Sequence, residues 1–136
     1  MGVARRKEIQ RFPDGSSEGM ASATQSECLV IRNGAAAVLD FSEGCLKVED
    51  LTHGMNARNL EAILATAEPG ASSWEATGRV GERWYYILEG KLEVLVNDIA
   101  YLLGEGDSIY LDSSASHVWR NPTRRQTKAL VLTSPP

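Results

Sequence analysis

The sequence predicts an all-β domain, a sandwich or barrel of short strands. Three observations carry this expectation. Turn signals recur roughly every eight to twelve residues, apolar and polar residues alternate between them, and no long amphipathic helix is present. With 136 residues, 43% of them apolar and 24% charged, the chain is expected to form one domain that buries a core.

Residues 1–27 read as an N-terminal arm. Phe12-Pro13-Asp14-Gly15-Ser16-Ser17 is turn chemistry, and 22–27 is polar with neither helical nor strand period. The basic group Arg5, Arg6, Lys7 and Arg11 is too short a run to neutralise many phosphates. The expected domain covers 28–136. Its first run, 28–32, ends at the turn pair Asn33-Gly34, and 36–41 and 45–51 follow as strands. In 60–67, Leu60, Ile63 and Leu64 are spaced as on a helix, so the period alone decides nothing. No cap precedes this segment, Pro69-Gly70 ends it and its neighbours read as strands, which favours a strand. Five further strands are expected at 83–88, 91–96, 99–103, 108–111 and 117–120. They are punctuated by Glu89-Gly90, Asn97-Asp98 and Gly104-Glu105-Gly106-Asp107, and 128–133 closes the set.

Composition narrows the function classes. Fourteen Lys and Arg against eighteen Asp and Glu leave a net charge of −4, which argues against a nucleic-acid binder. The longest apolar runs, 35–39 and 99–103, fall far short of the roughly 20 residues of a membrane span. Arg5, Arg6 and Lys7 lead into polar sequence rather than a secretory core, so a cytoplasmic location is expected. Cys28 and Cys45 form neither a disulfide framework nor a metal knuckle and read as two reduced, partly buried thiols.

The segment Gly106-Asp107-Ser108-Ile109-Tyr110-Leu111, then His117, then Asn121-Pro122, resembles the second motif of the cupin superfamily. That motif runs Gly, five residues, Pro, one residue, Gly, two residues, His, three residues, Asn. The spacing holds throughout, with Asp112 and Ser114 at the Pro and Gly places. Tyr86 to Val94 resembles the end of the first cupin motif, and Glu68-Pro69-Gly70-Ala71-Ser72-Ser73 its lead-in. Residues 28–136 together resemble the ligand-sensing cupin domains of helix-turn-helix regulators, without the helix-turn-helix itself. The resemblance implies a double-stranded β-helix, or jelly-roll barrel, with its site inside.

The first motif departs from the family. Counting back from Gly90, the family's Glu place holds Arg83, and its two His places hold Thr77 and Arg79. Glu82 is one residue away, and one step along a strand points a side chain to the opposite face. Of the four usual ligands only His117 remains. A guanidinium does not ligate a cation at neutral pH, so the expected barrel has no metal site and needs no cofactor.

On one continuous strand, Thr77, Arg79, Arg83 and Tyr85 would share a face with His117. Arg offers planar donors that match a carboxylate or phosphate, which makes a small anionic molecule the expected ligand. An internal role for the arginines stays open, as ion pairs with Glu75, Glu82 or Glu93. Tyr85 and Trp119 are candidates for the cavity wall. Trp84 and Tyr86 have the opposite parity and suit packing against another copy, in an expected homodimer. Two enzyme readings stand beside the binding one. In the first, His117 is the base and Tyr85 the acid of a metal-independent isomerase or epimerase. In the second, His117, His53 and Glu82 or Glu75 hold a metal.

Overall fold

The computed structural model describes residues 22–24, 28–41, 45–55, 59–73, 81–112 and 115–135, and in them eleven strands form three antiparallel sheets. The first three strands are β1 (Ser22–Thr24), β2 (Leu29–Ile31) and β3 (Ala37–Phe41). Next come β4 (Leu46–Asp50), β5 (Glu61–Ala67), β6 (Glu82–Glu89) and β7 (Leu92–Val96). The chain continues through β8 (Ile99–Leu103), β9 (Ser108–Leu111), β10 (His117–Arg120) and β11 (Thr127–Ser134). The largest sheet runs β3-β4-β5-β11-β6-β9, the second β10-β7-β8, and β1 pairs with β2 alone.

Period-two patterning sets which face goes inside. Along β11, Thr127, Ala129, Val131 and Thr133 are buried and the residues between them are partly open. Tyr85 and Ile87 of β6, Leu92 and Val94 of β7, Leu111 of β9, and Ala129 and Val131 of β11 form one cluster. Because it draws on both larger sheets, the core sits between them. Full burial of a side chain such as Ile87 contributes about 1.5–3 kcal/mol. The segment before β6 stitches the sheets together. Asn121 N donates to Ala71 O at 2.8 Å, Ser73 N donates to Trp119 O at 2.9 Å, and Ser72 bridges Arg120.

The turns follow their chemistry. Asn97 and Asp98 have φ of 48° and 71° and join β7 to β8 as a two-residue hairpin loop with both central residues left-handed. At Gly90, between β6 and β7, φ is +81°, and a Cβ would stand 2.6 Å from Gln126 O and 2.7 Å from Thr127 Oγ1. Only glycine fits there.

The ambiguous segment is a strand, β5, its ladder completed by β4 on one side and β11 on the other. Ser22–Thr24 is also a strand, although its sequence has no strand period; backbone pairing with Leu29–Ile31 holds it. Cys45 is partly buried, as expected, but Cys28 is exposed, and both thiols are free. Among the described residues no helix is long and apolar enough to cross a membrane.

Candidate functional site

A cavity of about 240 Å³ lies inside the barrel. Its wall is the inward face of β4, β5, β11 and β6, and Leu92 and Trp119 reach it from the second sheet. Register orders the wall in rows. Thr133 of β11 pairs with Glu61 on one side and Arg83 on the other, so a carboxylate, a hydroxyl and a guanidinium stand abreast at one end. Val131 pairs with Ile63 and Tyr85 in the next row, and Ala129 with Ala65 and Ile87 in the one after. The far end is closed at Thr127, which is 1% exposed; its Oγ1 donates to Lys91 O at 2.6 Å and accepts from Lys91 N at 3.1 Å. Asn121, also 1% exposed, backs this floor. Its Nδ2 donates to Ala67 O at 3.0 Å and Arg125 O at 2.7 Å, and its Oδ1 accepts from Thr123 N and Oγ1. Glu61 and Arg83 are only partly buried, so the charged end is the more open one.

Arg83, Tyr85 and Trp119 stand on the cavity wall. His117 is buried and meets Tyr85, its Nε2 3.2 Å from the phenol oxygen and the two rings edge to face at 6.0 Å. The side chain that survives from the family's ligand set thus has its Nε2 in contact with a phenol. Thr77 and Arg79, with Glu75, lie outside the described residues. Among the described residues β6 starts at Glu82, and Gly81 before it has φ of +118°.

Of the internal partners considered for Arg83, the two among the described residues are engaged elsewhere. Glu93 pairs with Arg120. Glu82 is exposed on the opposite face, where it accepts a hydrogen bond from the Tyr110 phenol. That bond, with some desolvation and the charges of Glu82 and Asp112, pushes the Tyr110 phenol above its ordinary value. Among the described residues no ion pair forms with Arg83. The residue that sequence reasoning missed is Glu61, an inward acid two strands from Arg83. The sequence signal was its shared parity with Ile63, Ala65 and Ala67, legible only once 61–67 is taken as a strand.

Among the described residues no group of three His, Cys, Asp or Glu side chains could hold a metal ion. His53, a candidate ligand, is on the surface after β4, its side chain 68% exposed and 3.8 Å from Asp50. Trp84 and Tyr86 lie on the outer face as their parity predicts, stacked at 5.8 Å with 17° between planes.

Two β-sheets enclosing one lined cavity define a small barrel protein of the kind that holds a small molecule inside. Residues 63–133 match the family model Cupin_2, a cupin domain, and the chain belongs to that family. No curated protein matches the chain. Solved structures agree on the fold. An RmlC-like cupin from Shewanella frigidimarina NCIMB 400 superposes with a TM-score of 0.66 at 21% identity, covering 86% of this chain and 96% of that one. KdgF from a Halomonas species gives 0.66 at 17% identity, over 76% and 90%. The Cupin_2 domain of an XRE family transcriptional regulator from Enterobacter cloacae gives 0.60 at 19% identity, over 68% and 98%.

Proposed function

We propose that this cupin binds a small anionic metabolite in its barrel without a metal ion, with Arg83 as the anchor for the acidic group. The carrying observation is Arg83 itself. It stands on the cavity wall where the family motif has a carboxylate, and no described residue pairs with it. A partly buried guanidinium without a counter-charge is costly, so an anion in the cavity gains from it. The donor set also suits a metal poorly. A guanidinium has no lone pair to give, and the His117 Nε2 faces the Tyr85 hydroxyl. The remaining wall is mostly apolar and suits the body of a small metabolite.

The test has two parts. Elemental analysis after growth with iron, manganese, zinc and nickel is expected to give less than about a tenth of an equivalent of each. Near one equivalent of one metal overturns the metal-free reading. A thermal-shift panel of small carboxylates and phosphates is then run on the wild type and on the Arg83→Ala, Arg79→Ala double variant. Binding that persists unchanged in the folded double variant overturns the anchor.

The Tyr85–His117 contact supports a second reading, an isomerase or epimerase. Tyr85 lines the cavity and touches His117, so a proton would pass between a bound molecule and the imidazole by way of the phenol. Turnover of a sugar or keto acid with a bell-shaped pH profile, abolished in both His117→Ala and Tyr85→Phe, is the result that favours it. Binding without turnover across such acids leaves the binding reading in place.

We also propose that two copies pair through the outer face of the six-stranded sheet. The stacked Trp84 and Tyr86 and the 59% exposed Tyr110 support this. Sedimentation of a Trp84→Glu variant as a monomer, against a wild-type dimer, is the expected result; a wild-type monomer overturns it.

A further inference from the structure

The cavity's charged end is bipolar. Glu61 and Arg83 flank Thr133 in one row of the sheet, and all three line the same space. Two strand spacings separate their Cα atoms, roughly 10 Å, with the side chains of both directed to the same face. An anion approaching Arg83 therefore also meets the Glu61 carboxylate across Thr133. A ligand with a positive group beside its negative one meets attraction at both ends.

We propose that the ligand is a zwitterion, an apolar body whose acidic group pairs with Arg83 and whose ammonium group pairs with Glu61, with Thr133 accepting or donating between them. This refines the anion-binding reading and rests on it. Three features of the wall support it. Arg83 has no ion pair among the described residues, so its planar donors are available to a carboxylate. Glu61 has a contact within the chain, yet a carboxylate offers about four acceptor directions and can hold an ammonium as well. Below this row the wall turns apolar at Ile63, Ala65, Val131 and Trp119, the lining an apolar body needs. The ligand class is an amino acid or a similar amine-bearing acid with a hydrocarbon or aromatic side group.

Three probes of matched shape test this by calorimetry on the full chain: phenylalanine, 3-phenylpropanoate and 2-phenylethylamine. They differ only in which charges they carry. Wild-type protein is expected to bind phenylalanine at least tenfold more tightly than either singly charged probe. Glu61→Gln is expected to abolish that preference while leaving 3-phenylpropanoate binding equal or tighter, and Arg83→Gln to weaken both acids together. If 3-phenylpropanoate binds the wild type as tightly as phenylalanine, the zwitterion proposal falls, while an Arg83-dependent affinity keeps the anion reading. If the acids bind but Arg83→Gln changes nothing, the anion reading falls, and the zwitterion proposal with it. Absence of binding by all three probes overturns the zwitterion proposal. The wild-type comparison decides the question even where the Glu61 variant fails to fold.

Discussion

Inside the six-stranded sheet, the central strands present small residues to the cavity, Ala65 and Ala67 from β5 and Ala129 from β11. Outside, the same strands and their neighbour β6 carry Leu64, Leu130, Leu132, Trp84 and Tyr86, larger side chains on a more open face. A face selected only for burial would put the bulk inside. The inner face holds bulk too, in Ile63, Val131 and Tyr85, and the alanines leave the cavity open between them. The bulky outer face is poor for a surface that only meets water.

The sharpest break in the comparison is energetic. Ile87 is 0% exposed, and Ile87→Ala is expected to cost about 3 kcal/mol in urea unfolding. Tyr110→Ala, outside, is expected to stay within about 0.5 kcal/mol for the monomer, and a larger loss would mean that the outer face is packed in solution. Asn121→Ala strips the carbonyls of Ala67 and Arg125 of their side-chain donor, with an expected cost of about 2 kcal/mol by the same measurement. Ala65→Leu grows into the cavity rather than into packed atoms, so stability is expected to change by less than about 1 kcal/mol while calorimetric binding of 3-phenylpropanoate disappears. Retained binding in that variant would place the ligand outside the barrel.

The smallest effect is electrostatic. The Tyr110 phenol is raised by its bond to Glu82, so its folded-state titration lies above that of the unfolded chain. Its contribution to stability is complete below the ordinary phenol range and is lost as pH rises through the raised value. Glu82→Gln is expected to lower the Tyr110 midpoint in an absorbance titration, and an unmoved midpoint would remove Glu82 as the cause.

Much of this was legible in the residues. Turn pairs such as Asn97-Asp98 and the alternation of β6, β7 and β11 are local signals, and parity alone puts Arg83 and Tyr85 on one side and Trp84 and Tyr86 on the other. The family motif located His117, but its contact with Tyr85, 32 residues away in sequence, is a property of the closed barrel. Glu61 was hidden for a physical reason. Segment 61–67 is apolar on both faces, so nothing local says which face meets the cavity until β4 and β11 pair with it. β1 was hidden because its pairing is made by backbone groups, which carry no side-chain signature.

The position of β11 has a consequence for how the protein is made. The last described strand in chain order lies between β5 and β6, in the middle of the largest sheet. During vectorial synthesis the nascent chain therefore carries two unsatisfied strand edges, on β5 and on β6, until residues 127–134 leave the ribosome. Pairing of β11 satisfies both edges together, and a chain truncated before residue 127 would leave both free to recruit strands from neighbouring chains.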